Sequence, residues 1–165
     1  TKAQTAVEEL SKLLRHLLYD NNENYVPLLK EVEFIKNYIE LMRIRLSKNV
    51  KLTTNIEVSP GSPTRIAPLI FISLIENAFK HGVSGNKESF IDIQLSEKTN
   101  GEIEFICRNS AFPKSESDKS GSGIGLNQVE RRLELLYPNQ HTWTQTLDQD
   151  NANSVYKSHI VIKTI

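Results

Sequence analysis

Apolar residues follow two rhythms along the chain, a helical one that opens it and returns twice, and a strand-like one in the segments between and at the end. Val7, Leu10, Leu14 and Leu17 recur at three- and four-residue steps with Leu13 and Leu18 beside them, which predicts a helix with one wide apolar face. The breaker cluster Asp20-Asn21-Asn22 ends it. A second helix starts at Pro27, because proline suits a first helical turn. Its apolar positions Leu28, Val32, Ile35, Ile39, Met42 and Leu46 alternate steps of four and three, a heptad seam. Two adjacent helices with seams fit a helical hairpin or a dimer bundle; one amphipathic helix lying on a domain fits equally.

After Asn49 the texture changes. Lys51 to Val58 is rich in β-branched residues and predicts a strand, followed by the turn Ser59-Pro60-Gly61-Ser62-Pro63. Pro68 to His81 predicts a helix stopped by Gly82. Phe90 to Leu95 and Ile103 to Cys107 alternate apolar and polar, and Asn100-Gly101 between them is a hairpin signal. Ala111 to Ser122 is a polar loop, Ile124 to Leu136 a helix, and Thr142 to Leu147 and Val155 to Ile165 a closing pair of strands. Strands joined mostly by hairpins, with fewer helices, predict an α+β fold: a mostly antiparallel sheet with helices on one face.

Composition narrows the classes. With 165 residues, 38% hydrophobic and 24% charged, the chain has room for one globular domain and a small helical appendage. Lys+Arg and Asp+Glu are both 20, so no long-range field draws in nucleic acid or an anionic membrane. The lone Cys107, within an apolar strand, excludes a disulfide framework and favours a reducing, cytosolic compartment. No apolar run reaches the length of a membrane span. The chain begins at Thr1, so the expectation is a piece of something longer, whose membrane segment would lie elsewhere.

Chemistry is concentrated in two places. The helix over 68–82 is apolar almost all round, and its polar residues Ser73, Glu76, Asn77, Lys80 and His81 fall at three- and four-residue steps on one narrow stripe. A buried stripe of this kind needs partners, and a ligand carrying metal and phosphate would supply them. Asparagine offers a neutral oxygen to a hard cation and lysine a point charge to phosphate. A solvated face near a helix C-terminus is the plainer alternative. The second place is Gly121-Ser122-Gly123-Ile124-Gly125, opening the helix of Leu126, Val129, Leu133 and Leu136. Glycines let the backbone approach a ligand, and a helix N-terminus presents N–H groups to an anion. It follows a loop instead of a strand and has no GxxxxGK[ST], so neither a dinucleotide fingerprint nor a P-loop is present, and alone it reads equally well as a flexible loop.

Taken together the two places are specific. An Asn-x-x-Lys-His-Gly helix, two strands, a polar lid and a Gly-x-Gly-x-Gly-Leu helix start resemble the nucleotide site of the histidine kinase, gyrase and Hsp90 ATPase superfamily. Glu76-Asn77-Ala78-Phe79-Lys80-His81-Gly82, and Gly123 to Asn127 through Arg132-Leu133, resemble LytS-type sensor histidine kinases more closely. Leu10-Ser11-Lys12-Leu13-Leu14-Arg15 is similar to that family's segment after the phosphoacceptor helix, and Leu28 to Glu31 with Tyr38 to Arg45 to its connecting helix. The likeness covers nearly the whole chain.

The resemblance implies a Bergerat-type two-layer α/β sandwich over 49–165, preceded by N-terminal helices over 1–48 that end the dimerisation and phosphoacceptor region. It implies ATP and Mg²⁺, with Asn77 on the metal, Lys80 on phosphate and His81 lining the nucleotide pocket. Gly121, Gly123 and Gly125, with Leu126 after them, form the phosphate-cradling turn, and 111–122 the lid. Glu76 either polarises the attacking group, stands in the metal's outer shell, or makes a salt bridge. The implied function is transfer of the γ-phosphate to a histidine outside these residues and then to a response regulator of the LytTR DNA-binding type. The implied setting is a homodimer on the cytoplasmic side of a bacterial inner membrane, without direct contact to nucleic acid. A nucleotide-binding pseudokinase is the alternative.

Two features depart from the family pattern. No His-Phe-Leu-Phe-Asn-like phosphoacceptor motif occurs, and His16, in Leu-Leu-Arg-His-Leu-Leu, reads as a helix-surface residue. His141 and His159 lie in the strand region without a motif. In the Asp-x-Gly box that holds adenine, Asn109 stands where aspartate is usual and the glycine is missing. Asn109 either holds adenine or closes the turn after its strand.

Overall fold

The computed structural model describes residues 9–10, 24–84, 87–112, 123–150 and 153–164. The first expected helix, with its breaker cluster and His16, therefore lies outside the described residues except for Glu9 and Leu10, which are helical and exposed.

Strand β1 is Val26–Pro27, helix α1 Leu28–Arg43, β2 Val50–Glu57, β3 Arg65–Ile66 and α2 Ile70–His81. β4 is Ser89–Glu97, β5 Glu102–Ala111, α3 Gly123–Leu136, β6 His141–Asp150 and β7 Asn153–Lys163. Five strands form one sheet in the order β2-β4-β5-β7-β6, and β1 and β3 form a separate two-residue ladder. β2 and β4 run parallel, while β4–β5, β5–β7 and β6–β7 are antiparallel. A parallel pair cannot be closed by a tight turn, and α2 is the helix of the crossover. The expected Asn100-Gly101 turn joins β4 to β5, with Gly101 at φ 84 and the Asn100 side chain accepting from Glu102 N–H at 3.1 Å.

The seam of α1 is buried in this chain's own core. Leu28, Val32, Phe34, Ile35, Tyr38, Ile39 and Met42 all lie in one cluster with α2, α3 and the helix-facing side of the sheet. This is the amphipathic helix lying on a domain. At roughly 1.5–3 kcal/mol per large apolar side chain, burial on this scale holds α1 firmly against the rest. Its first N–H, on Leu28, is taken up by Thr64 O at 2.8 Å, which ties the helix start to the strand β3 region.

α2 begins two residues after Pro68. Leu69 takes a left-handed conformation, φ 68, which a helix cannot contain, so the helix opens at Ile70. Alternate residues of the central strands face it: Ile91, Ile93 and Leu95 on β4, Ile103, Phe105 and Cys107 on β5, Ile160 and Ile162 on β7. Phe71 of α2 stacks on Phe105 at 4.8 Å between centroids. Cys107 is buried as expected, and desolvation pushes its thiol up to about 12. β4, β5 and β6 each run one to four residues beyond the sequence expectation at both ends, because ladder pairing recruits polar flanks that carry no apolar period.

Candidate functional site

The polar stripe of α2 sits as its spacing requires. Its opposite side supplies Phe71, Leu74, Ile75 and Ala78 to the core, while Ser73, Glu76, Asn77 and His81 are half-buried and Lys80 is exposed. Ser73 is spent locally, donating to Leu69 O at 2.8 Å. The rest of the stripe carries a carboxylate, an amide, an ammonium and an imidazole along two turns of one helix.

Asn109 meets the end of that helix. It is 3% exposed, on the helix-facing side of β5, opposite Ile91 of β4 and Tyr156 of β7. Its Nδ2 donates to Ser110 O at 2.9 Å. Gly82, which caps α2 by donating its N–H to Ala78 O at 2.7 Å, lies against the Asn109 side chain. A Cβ added at Gly82 would stand 2.6 Å from Ala78 O and 2.7 Å from Asn109 Cβ. With φ −93, Gly82 is required for space and not for a left-handed cap. Ser110 fastens the same junction: its hydroxyl donates to Gly82 O at 2.7 Å and accepts from Phe90 N–H at 3.1 Å. Asn109 thus closes the strand end and touches the helix that carries Asn77.

α3 packs on α2 and brings the second motif to the same layer. Gly123 and Gly125 form its first turn, and Leu126 is half-buried against the core. Gly121 and the rest of 113–122, expected from sequence to be a lid, lie outside the described residues. Among the described residues no group of three or more His, Cys, Asp and Glu gathers as a metal cage. No helix among them is long and apolar enough to cross a membrane.

Some polar groups escaped the motif reading. Ser158, 1% exposed, lies on the same side of β7 as Tyr156 and accepts from Trp143 Nε1–H at 2.8 Å. Glu31 of α1 is fully buried, and Leu69 N–H donates to its Oε1 at 3.4 Å. The signal for Glu31 was in the spacing: it falls three after Leu28 and four before Ile35, a charge on an otherwise apolar face. The two motif-free histidines each make one side-chain contact. His141 Nδ1 lies 2.7 Å from Tyr137 O, and His159 Nε2 2.9 Å from Glu104 Oε2.

A mixed five-stranded sheet covered on one side by helices is the fold shared with solved histidine kinase catalytic domains. The mycobacterial sensor histidine kinase MprB superposes with a TM-score of 0.57 over 84% of this chain and 95% of that chain, at 15% identity. The histidine kinase domain of a blue-light activated histidine kinase from Erythrobacter litoralis does so with 0.56 over 84% of this chain and 62% of that one, at 12% identity. At such identities these likenesses speak to fold.

Sequence carries the rest. Residues 1–50 match the family model described as histidine kinase. The sensor protein LytS of Oceanobacillus iheyensis is 26% identical over 146 residues, covering 80% of this chain and 25% of that protein. The sensor protein kinase HptS of Staphylococcus aureus is 38% identical over 81 residues, covering 48% of this chain and 15% of its own length. The chain is thus similar to LytS- and HptS-like sensor kinases, and it spans a quarter or less of the length of those two.

Proposed function

We propose that the chain binds Mg-ATP between α2, the end of β5 and the start of α3, and passes the γ-phosphate to a histidine. The observation that carries this reading is the contact of Asn109 with Gly82, which puts a buried hydrogen-bonding amide at the end of the helix bearing Asn77 and Lys80.

A magnesium ion riding on nucleotide phosphates asks one or two oxygens of the protein and keeps several waters. Asn77 and Glu76 supply an amide and a carboxylate oxygen on the half-buried stripe, so the donor set fits without a cage of acids. The metal would neutralise charge on the transferring phosphoryl group. Lys80, exposed one turn further on, adds a mobile positive charge for phosphate, and His81 a ring to line the pocket. Gly121, Gly123 and Gly125 would admit the phosphates to the backbone N–H groups at the start of α3. Asn109, with its nitrogen committed to Ser110 O, would offer its amide oxygen to the adenine amino group. Glu76 is assigned to the attacking group or to the metal's outer waters.

In this reading 49–165 is the catalytic domain and 1–48 the end of a dimerising helical region. The acceptor histidine is one these 165 residues do not carry in the family motif, and the phosphate passes on to a response regulator of the LytTR type. The protein works as a homodimer at the cytoplasmic face of a membrane. A second reading has one observation in its favour: Asn109 and Ala111 stand where aspartate and glycine are usual, as in a pseudokinase that holds nucleotide without transferring phosphate.

Calorimetry with ATP, with and without Mg²⁺, tests the core of the proposal. The parent chain should bind in a Mg²⁺-dependent manner, and Asn77→Ala should lose most of that dependence, about tenfold or more in affinity, because a metal ligand is gone from a partly dry site. Unchanged Mg-ATP binding in the variant overturns the assignment. Stable acid-labile label on His16 from labelled ATP would overturn the reading of the acceptor.

A further inference from the structure

β2 is the last strand on one side of the sheet, and among the described residues only β4 pairs with it. Ser89 N–H donates to Asn49 O at 3.0 Å, which sets the phase of that parallel ladder. Lys51, Thr53, Asn55 and Glu57 therefore turn their backbone groups to β4, and Leu52, Thr54 and Ile56 turn theirs to the open edge. Leu52 and Ile56 lie half-buried on the helix-facing side, while Lys51, Thr53, Asn55 and Glu57 are exposed on the other face. An open edge is a template for a further strand, and proteins commonly blunt it with charge, proline or a bulge. Lys51 and Glu57 alone would read as that defence.

Their placement says more. Counting outwards from Thr54, Thr53 and Asn55 stand one residue away, Leu52 and Ile56 two, and Lys51 and Glu57 three. A second β2 running antiparallel, with Thr54 opposite Thr54, sets Leu52 of each copy against Ile56 of the other on the helix-facing side. On the other face it sets Thr53 against Asn55 and Lys51 against Glu57. The positions this register makes hydrogen-bonded pairs, Thr54 with Thr54 and Leu52 with Ile56, are those whose backbone groups point to the open edge. Centring the pair on Lys51 or on Glu57 instead would set like charges opposite each other. The two charges thus disfavour slipped registers and favour the one about Thr54. The edge at the other end of the sheet lacks this property: over 141–148, β6 carries Asp148 and no lysine or arginine.

We propose that β2 is a self-association edge, on which a second copy of this chain lays its own β2 antiparallel about Thr54 and joins the two sheets into one. No residue of the nucleotide reading takes part, so the inference stands or falls separately from it. One strand pair buries less than the roughly 1,200 Å² at the lower end of stable interfaces, so the contact by itself is weak, with a Kd on the order of 0.1–1 mM. It becomes substantial where copies are already held near one another, because tethering raises the effective concentration to about the millimolar range.

Sedimentation equilibrium and amide exchange by NMR on the whole chain, from dilute to about 1 mM, test this. In the parent, the Leu52, Thr54 and Ile56 amides should exchange fast when dilute and slow down several-fold, roughly, as concentration rises. Lys51→Glu and Glu57→Lys should each weaken association about tenfold, since each sets like charges opposite at two places. The double variant Lys51→Glu/Glu57→Lys should recover to within about twofold of the parent, and an equimolar mixture of the two single variants should associate where neither does alone. Association through the helices over 1–48 would be the same in all these proteins, so the differences between them report on β2. Thermal unfolding of the dilute variants should match the parent, which separates loss of the contact from loss of the fold. A double variant or mixture no better than the singles overturns the proposal, as does exchange at the three amides that ignores concentration. Protection of those amides already in dilute solution also overturns it, because a segment of the same chain then covers the edge.

Discussion

The two faces of the sheet carry polar groups of opposite kinds. On the face away from the helices, Asp92 and Arg108 stand 3.6 Å apart, Glu104 pairs with His159 at 2.9 Å and with Lys98 at 3.6 Å, and every partner keeps a share of solvent. On the helix-facing side Asn109 and Ser158 are at most 3% exposed, and each makes a specific contact. Water and salt can replace most of what an exposed pair contributes, whereas a buried amide or hydroxyl that loses its partner keeps the cost of desolvation. The first face is therefore tolerant and the second is where a single atom matters.

Gly82→Ala should break this contrast most severely. The new methyl group has no room between Ala78 O and Asn109, so α2 or β5 must shift, at about 1–3 kcal/mol in urea unfolding. Gly61→Ala, where nothing stands within 4 Å of an added Cβ, is the control and should stay within about 0.5 kcal/mol. Equal effects would show that the helix–strand junction is softer than its geometry. Asn109 comes next. If the base is held there, Asn109→Asp should change ATP affinity modestly and Asn109→Leu should cost on the order of 1–3 kcal/mol of binding by calorimetry. Unchanged binding in Asn109→Leu would move the adenine contact elsewhere and favour the pseudokinase reading.

Glu104→Gln should have the smallest effect. The hydrogen bond from His159 holds the Glu104 carboxyl below its ordinary range, with Lys98 adding to the effect and desolvation opposing it. A carboxylate with a lowered folded pKa stabilises above its unfolded value, and that contribution is lost as pH falls through the folded value. The variant should therefore unfold with a flatter acid limb below the ordinary glutamate value of 4.5 and differ little at neutrality. The size should stay under about 1 kcal/mol, because both side chains are about a third exposed and screened. A larger loss would mean that the outer face is less tolerant than its exposure suggests.

Helix and strand periods made most of the fold legible. The stripe of α2 was readable because a helix that is apolar on every other side leaves few places for five polar residues. The turn at Asn100-Gly101 was readable because glycine there has a positive φ. β1 and β3 were not, since two residues have no period and their pairing depends on chain brought from forty positions away. The seam of α1 was ambiguous because burial in a dimer and burial in one's own domain write the same heptad. Asn109 became a candidate only through family likeness; its contact with Gly82 is a tertiary fact that no local spacing encodes. Glu31 is the instructive case: spacing marked it as facing inward, but only the fold supplies the Leu69 N–H that meets its carboxylate there.

The ten-residue register between β5 and β7, from Glu102 opposite Lys163 to Ala111 opposite Ser154, has a consequence for how such a domain can diversify. Two neighbouring central strands are separated in sequence by α3, β6 and the residues between them, so that whole stretch is an excursion that leaves and rejoins one ladder. Closing an excursion is an entropic matter that grows only with the logarithm of its length, about 0.6 kcal/mol for each doubling. Residues can be gained or lost between Ala111 and Gly123 at little thermodynamic penalty, while a single insertion inside either strand would turn its inward side chains outward. The domain is thus free to vary its length beside the proposed phosphate-binding turn and bound to keep it constant a few residues away.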